Sequence, residues 1–313
     1  MERKVSFAGV VHFTKLCVYL AWTWPPSRIA SRWKTAKYDI AWSLSILSAL
    51  CLFIPLLNSI YVHQSNFVIV TQSAAFACSG CNFIIKTLVY RLHRKKIQIL
   101  IAEMEDFLKT AESHELIVLQ CYADRCLIFH GLISFMNYLS ALAIIAGPMF
   151  FRQPLPTFAV YPFSVDSGLP RYIAYMHQSF AGLQYSAGIT TDCQVALIMW
   201  YAGARLEILA RELKNVSNAR EFQSFIKKHQ RLLAYAVDVS DTMRYVALVT
   251  SAISGIGSVM SGMQLVSNQP FALKIQYGPV ILIAMMNLFV CAWPAENLLS
   301  IVSNSQDSCK TLH

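Results

Sequence analysis

Asp192 is the first residue in this chain that could do chemistry. It stands inside a stretch from Tyr172 to Ala204 that is almost wholly apolar or small. An acid in the middle of a membrane span is costly and faces a bundle interior or a water-filled cavity. Two readings follow: a hydrogen-bonded acid paired within the bundle, or a member of an ion path or gating linkage. Cys78 and Cys81 form a C-x-x-C, a spacing used in redox and zinc sites, but they lie in an apolar run with no second pair. There cysteine serves as a small apolar residue. His177 has no second ligand at helical spacing, so no metal site is expected at it. The chain has no G-x-S-x-G, no phosphate-cradling glycine loop and no H-E-x-x-H. No catalytic residue, metal or cofactor is therefore expected.

The other chemistry on offer is apolar binding. One end of the predicted spans contributes Val70 and Ala74, then Tyr138, Leu142, Ile145 and Met149, then Tyr175, Met176, Ser179, Phe180 and Leu183, and finally Tyr277 and Ile281. An apolar, aromatic-lined cavity with a few hydroxyls suits a small volatile or lipophilic molecule, and methionine adapts to irregular shapes. Packing inside a membrane bundle is the competing reading of the same residues. Asp124, Arg125 and Cys126 look like the Asp-Arg-Tyr of heterotrimeric-G-protein-coupled receptors, but they precede span three instead of following it. They are expected to form the polar start of a helix.

The elements that must position these residues are membrane helices. Of the 313 residues 56% are hydrophobic and only 14% charged, and mean hydropathy is +0.45, the profile of a polytopic membrane protein. The net charge of +9 is clustered at the ends of apolar spans, which excludes a nucleic-acid partner as its explanation. Six spans are predicted, at 38–62, 67–90, 126–151, 172–204, 245–266 and 271–293, giving an all-α helix bundle. The stretch from Tyr172 to Asn215 reads as one helix roughly 65 Å long, against about 30 Å of hydrocarbon. It must project beyond the membrane, and Leu206, Leu209, Ala210 and Leu213 on its projecting part form an apolar stripe that needs a partner. Ile97, Leu100, Ile101, Met104 and Phe107 make a similar stripe after span two. Phe222, Phe225, Ile226, His229 and Leu233 share a face before span five, where Asn218 and Glu221 form a capping-box-like start.

Before the first span the segment 1–37 is basic, with Trp22, Trp24, Pro25 and Pro26 suiting an interfacial anchor and a rigid break. Lys15 interrupts its apolar run and no cleavage site follows, so no signal peptide is expected. Ser254, Ser258 and Gly262 recur every four residues in span five, a pattern that lets helix backbones approach closely in lipid. The amino tail and the second and fourth connections carry seven, six and eight Lys and Arg, whereas the first, third and fifth carry zero, two and one. The positive-inside rule then puts both termini in the cytoplasm, with anchor-like cytoplasmic segments at 91–125, 205–244 and 294–313. The Asn215 to Ser217 sequon would face the cytoplasm and stay unglycosylated. The proline-rich loop from Arg152 to Arg171 would lie as a lid over the outer mouth.

Several of these stretches resemble the insect odorant receptors, particularly the sets of ants, bees and wasps. Pro162-Phe163 through Gly168-Leu169-Pro170 leads into span four and ends in Leu206, Leu209, Arg211, Glu212 and Leu213. His229, Leu232 and Leu233 precede span five, and Trp24-Pro25-Pro26 and Leu288-Phe289 through Cys291, Trp293, Pro294 and Ala295 complete the likeness. The resemblance implies a seven-span architecture with a cytoplasmic amino terminus and an outward-facing odorant pocket. It also implies a ligand-gated, non-selective cation channel in the plasma membrane of an olfactory neuron dendrite. The channel is a hetero-oligomer, a tetramer, formed with an odorant receptor coreceptor subunit through cytoplasmic helix extensions.

The match fades near Ser308 and Cys309, and the pore-lining seventh span of such receptors is not in this sequence. The expectation is a truncated receptor that cannot conduct alone. A gustatory receptor of the same superfamily is the alternative. A small-solute transporter would want repeated halves with broken helices, which are not seen.

Overall fold

The computed structural model of the chain describes residues 5–150, 153–213, 218–266, 274 and 277–310. Among them there is helix and no strand. In sequence order the helices are α1 (Phe7–Cys17), α2 (Arg32–Val62), α3 (Phe67–Leu92), α4 (Arg94–Thr110), α5 (Ser113–Phe150), α6 (Gly168–Leu213), α7 (Ala219–Val266) and α8 (Tyr277–Lys310). α2, α3, α5, α6, α7 and the Val280–Val302 part of α8 are long and apolar enough to cross a membrane. The predicted ends at Phe151, Arg152, Asn215, the Asn268 to Pro270 turn and Phe271 lie outside the described residues.

Helix starts follow local chemistry. Ser6 Oγ accepts from Gly9 N at 3.2 Å, Ser31 Oγ from Lys34 N at 3.3 Å, and Asn66 Oδ1 from Val68 N and Ile69 N. Asn218 Oδ1 accepts from Glu221 N at 2.9 Å. Each satisfies a backbone donor that the first helical turn leaves unpaired. Gly168 opens α6 at φ +68, a left-handed conformation that a Cβ disfavours.

α6 is the central helix. In its apolar stretch 83% of the residues are buried, against 17–33% in the corresponding stretches of the other five. It packs against α2, α3, α5, α7 and α8, so those five face lipid on their outer sides.

The projecting stripes are one another's partners. Ile97, Leu100, Ile101 and Met104 of α4 join Leu206 and Leu209 of α6 and Phe225, Leu232, Tyr235 and Ala236 of α7 in one buried cluster. Tyr201 sits among them, with its ring 6.0 Å from Phe107 and 5.7 Å from Tyr235. Arg205 lies 3.5 Å above the Phe107 ring, a cation–π contact. Outside lipid the ordinary hydrophobic effect operates, and it welds this basic end of the bundle together.

Three expectations need correction. The segment before span one is not only interfacial: α1 buries Phe7, Val10, Val11 and Thr14 against α5 and α6, and Thr14 Oγ1 meets His130 Nδ1 at 3.3 Å. Lys15, which breaks the apolar run, reaches back over the Trp24 ring at 5.7 Å. Asp124, Arg125 and Cys126 do not start a helix, because α5 begins at Ser113 and they lie well within it. Past span six, α8 continues as far as Lys310.

The small residues of span five do not give the close approach. Ser254 is buried, but a Cβ on Gly262 would meet nothing within 4 Å. Close approach occurs at α3 and α6, where a Cβ on Gly188 would stand 2.6 Å from Phe83 Cδ2 and 3.2 Å from Phe83 Cα. Because the obstacle includes backbone, Gly188→Ala should lower stability by about 1–3 kcal/mol, the usual penalty for overpacking. Gly182→Ala, whose Cβ would find open space, should not. Thermal unfolding of both variants in detergent checks the pair.

Candidate ligand-binding site

At the end of the bundle away from the basic cluster, the helices part around a cavity of about 140 Å³. α2 contributes Leu52, α3 Gln72 and Phe76, α5 Asn137, Ser140 and Ile144, α6 Gln178, Tyr185 and Ile189, α7 Ser261, and α8 Val280 and Ile283. Pro156 and Thr157 of the 153–167 loop close it.

The loop is tied down by side chains. Gln178 Oε1 accepts from Thr157 N at 2.9 Å and from Thr157 Oγ1 at 3.1 Å, while its Nε2 donates to Tyr161 Oη at 3.2 Å. Val160 N donates to Pro55 O and Asn58 Nδ2 to Val160 O. The loop therefore forms a fixed roof.

Of the residues named from the sequence, Ile145 lines this cavity. Tyr175 reaches it indirectly, donating from Oη to Ile145 O at 2.9 Å. Tyr138 is partly buried beside Tyr185, and its hydroxyl donates to Cys17 O. Ser179 Oγ turns back to Tyr175 O. Leu142, Met149, Met176 and Phe180 are exposed on the lipid side of the bundle. Val70, Ala74, Leu183 and Ile281 are half-buried and are not among the lining residues. The Tyr277 side chain lies outside the described residues.

His177 Nε2 faces Ser48 O at 3.1 Å, a contact between α6 and α2. Cys78 and Cys81 are free thiols on α3. Two further sites lie at the basic end. An open cleft of about 670 Å³ between the amino-terminal segment and α4 is lined by Trp22, Trp24, Pro25 and Pro26 together with Lys15, Arg28, Lys34, Lys37 and Glu105. His114, Glu115 and Glu212 approach one another, but Glu212 is paired with Lys228 at 3.1 Å.

Beneath the cavity, one turn past Ile189, Asp192 meets its partner. Lys86 Nζ of α3 lies 2.8 Å from Asp192 Oδ1, with both side chains fully buried. Thr250 Oγ1 of α7 donates to the same oxygen at 2.7 Å, and the Cys291 thiol of α8 lies beside it. Four helices thus converge on one carboxylate. Nearby, Thr23 Oγ1 donates to Gln194 Oε1 at 2.9 Å, joining the amino-terminal segment to α6.

A sequence profile described as 7tm Odorant receptor matches residues 66–303. The chain belongs to the insect odorant receptor family. It is similar to Odorant receptor 13a of Drosophila melanogaster, at 21% identity over 81% of this chain and 68% of that protein. Its fold is similar to that of the insect olfactory receptor OR5 from Machilis hrabei, with TM-score 0.80 and 12% identity over 96% of this chain and 82% of that one. The same receptor in complex with eugenol gives a TM-score of 0.77 and 10% identity, covering 96% and 90%. This odorant receptor is a multi-pass membrane protein and not an enzyme, and the gustatory and transporter alternatives fall away.

Sequence reasoning placed Asp192 inside the bundle but did not find Lys86 as its counter-ion. Spacing along one chain cannot reveal a pair 106 residues apart. Two opposite charges within apolar spans were nonetheless a signal, because each costs several kcal/mol alone and less together. In this receptor Lys86→Met should lower stability by about 3–5 kcal/mol, since it strands a buried carboxylate. The double variant Lys86→Met/Asp192→Leu should recover most of that loss. A double-mutant cycle on thermal unfolding in detergent measures the difference.

Proposed function

We propose that this chain is an odorant-binding receptor subunit. In this reading a small volatile or lipophilic molecule enters the cavity beneath the 153–167 loop. Ligand occupancy there gates a non-selective cation channel formed with a coreceptor subunit in the plasma membrane. The carrying observation is the cavity itself, a concave space at the end of the bundle opposite the basic cluster, walled by six helices and roofed by a pinned loop.

Its size is adequate. An apolar cavity of about 150 Å³ holds a benzene-sized molecule, and this one is about 140 Å³. The eugenol complex of OR5 from Machilis hrabei supports a small aromatic occupant for a bundle of this shape. The proposed contacts are Ile145 from the set named above, with Gln72, Phe76, Asn137, Tyr185 and Ser261 beside it.

Orientation rests on charge. Arg91 and Arg94 hold Asp39 at 2.6 and 2.7 Å where α2 begins and α3 ends, and the basic segments gather at that end. The positive-inside rule makes it cytoplasmic and turns the cavity outward. The anchor-like cytoplasmic segments at 91–125, 205–244 and 294–313 are the proposed meeting ground for the coreceptor.

Gly182 lines the cavity, and a Cβ there meets nothing within 4 Å. Gly182→Leu should therefore fill the space without harming the fold and weaken ligand binding at least tenfold. Ligand-induced thermal stabilisation of the chain in nanodiscs reads this, and undiminished binding would refute the site. An epitope tag at the amino terminus should be stained only after permeabilisation. Staining of intact cells would reverse the assigned sidedness.

A further inference from the structure

We propose that the cavity selects compact ligands carrying one hydrogen-bond acceptor, such as a ketone or ester oxygen, received by the Asn137 amide and the Ser261 hydroxyl. This rests on the ligand-binding reading above and names the chemistry of that same site.

Most polar side chains around the cavity are already engaged with protein. Gln178 holds the loop. Tyr185 Oη donates to Ala49 O at 2.9 Å, Ser186 Oγ to Asn137 O at 3.1 Å and Ser79 Oγ to Ala75 O at 3.2 Å. Two are different. Asn137 is 3% exposed and Ser261 is fully buried, both line the cavity, and neither Asn137 Nδ2 nor Ser261 Oγ has a hydrogen-bond partner among the described residues. They belong to different helices, α5 and α7, so one helix's own backbone cannot serve both.

Buried polar groups in native proteins are hydrogen-bonded, and an unpaired one calls for a reason. The Asn137 NH₂ can only donate, and a serine hydroxyl donates as well as accepts. A ligand that offers a lone pair satisfies them. A hydrocarbon of the same shape would exclude water and leave both donors unpaired. Beside the half-buried Gln72 and Ser140, the rest of the wall is largely apolar, with Leu52, Phe76, Ile144, Ile145, Val280 and Ile283. They supply attraction for the carbon skeleton without distinguishing the two ligands.

Cyclohexanone and methylenecyclohexane test this, because they share a ring and an exocyclic double bond and differ in the acceptor oxygen. Affinity for the full chain in nanodiscs follows from the ligand-concentration dependence of its unfolding midpoint. Cyclohexanone should bind tenfold to hundredfold more tightly, about 1.4 to 2.8 kcal/mol. Ser261→Ala and Asn137→Leu should each shrink that ratio by weakening cyclohexanone more than methylenecyclohexane. Equal affinity for the two ligands in the unsubstituted chain would overturn the inference and leave the ligand-binding reading standing. A preference unchanged in both variants would overturn the assignment of the donors. Failure of both compounds to bind at millimolar concentration would overturn the cavity as a ligand site, and the inference with it.

Discussion

A helix that carries Gln178, Gln184, Thr190, Thr191, Asp192 and Gln194 cannot face hydrocarbon. Lipid offers no hydrogen bonds, so each of those groups must find a protein partner, and the helix must be surrounded. That constraint puts α6 at the centre and the other five spans around it. Its consequences run along the helix. Gln184 Nε2 donates to Ser45 Oγ at 2.9 Å and Gln184 Oε1 accepts from Ser48 Oγ at 3.0 Å, fixing α2. Asp192 fixes α3 and α7. Further down, Glu207 accepts from Tyr122 Oη at 2.9 Å, fixing α5.

The same constraint explains which parts of the site were legible in the sequence. The six spans could be read directly, because length and hydropathy are what a bilayer selects. The stripes on α4, α6 and α7 could be read because the basic end lies in water, where apolar residues go inside. The cavity residues could not be read by that rule. In a membrane bundle Leu142, Met149, Met176 and Phe180 satisfy their chemistry by facing lipid, and hydrophobicity no longer marks the interior. The residues that do mark it are the modest polar ones: Gln72, Asn137, Ser140, Ser186 and Ser261. Choosing positions by aromatic and methionine content selected faces of the same helices that neighbour the cavity lining. Choosing by isolated polar residues in the same spans would have turned α3, α5, α6 and α7 toward the cavity.

The amino-terminal segment was misread for a related reason. Lys15 breaks an apolar run, and in a sequence window one lysine cancels several leucines. In the folded chain its charge rests over the Trp24 ring, so Phe7, Val10, Val11 and Thr14 of the same helix are buried all the same. Thr14 and Thr23 look like surface residues by type, yet both are buried and point at polar groups of the bundle, His130 and Gln194. No local pattern announces such partners, because they are supplied by helices more than a hundred residues away.

Why the bundle keeps an ion pair at Lys86 and Asp192 is a question of register. Well-packed apolar residues in their place would be as stable or more so, since the attraction of a buried pair scarcely exceeds its desolvation penalty. Between membrane helices, however, there is no hydrophobic force to favour one rotation over another, and apolar surfaces slide past each other at little cost. A 2.8 Å contact between two fully buried charges, with Thr250 on the same oxygen, admits a single rotation and a single axial position of α6 against α3 and α7. Ile189 stands one turn above that point and lines the cavity. Gly188 stands beside it against Phe83 with no room for a Cβ, so charge and steric fit act at adjacent turns. Slipping α6 by one residue would turn Gln178, Tyr185 and Ser186 away from the cavity and unseat the loop that Gln178 holds. The pair thus sets the shape of the cavity without touching whatever occupies it.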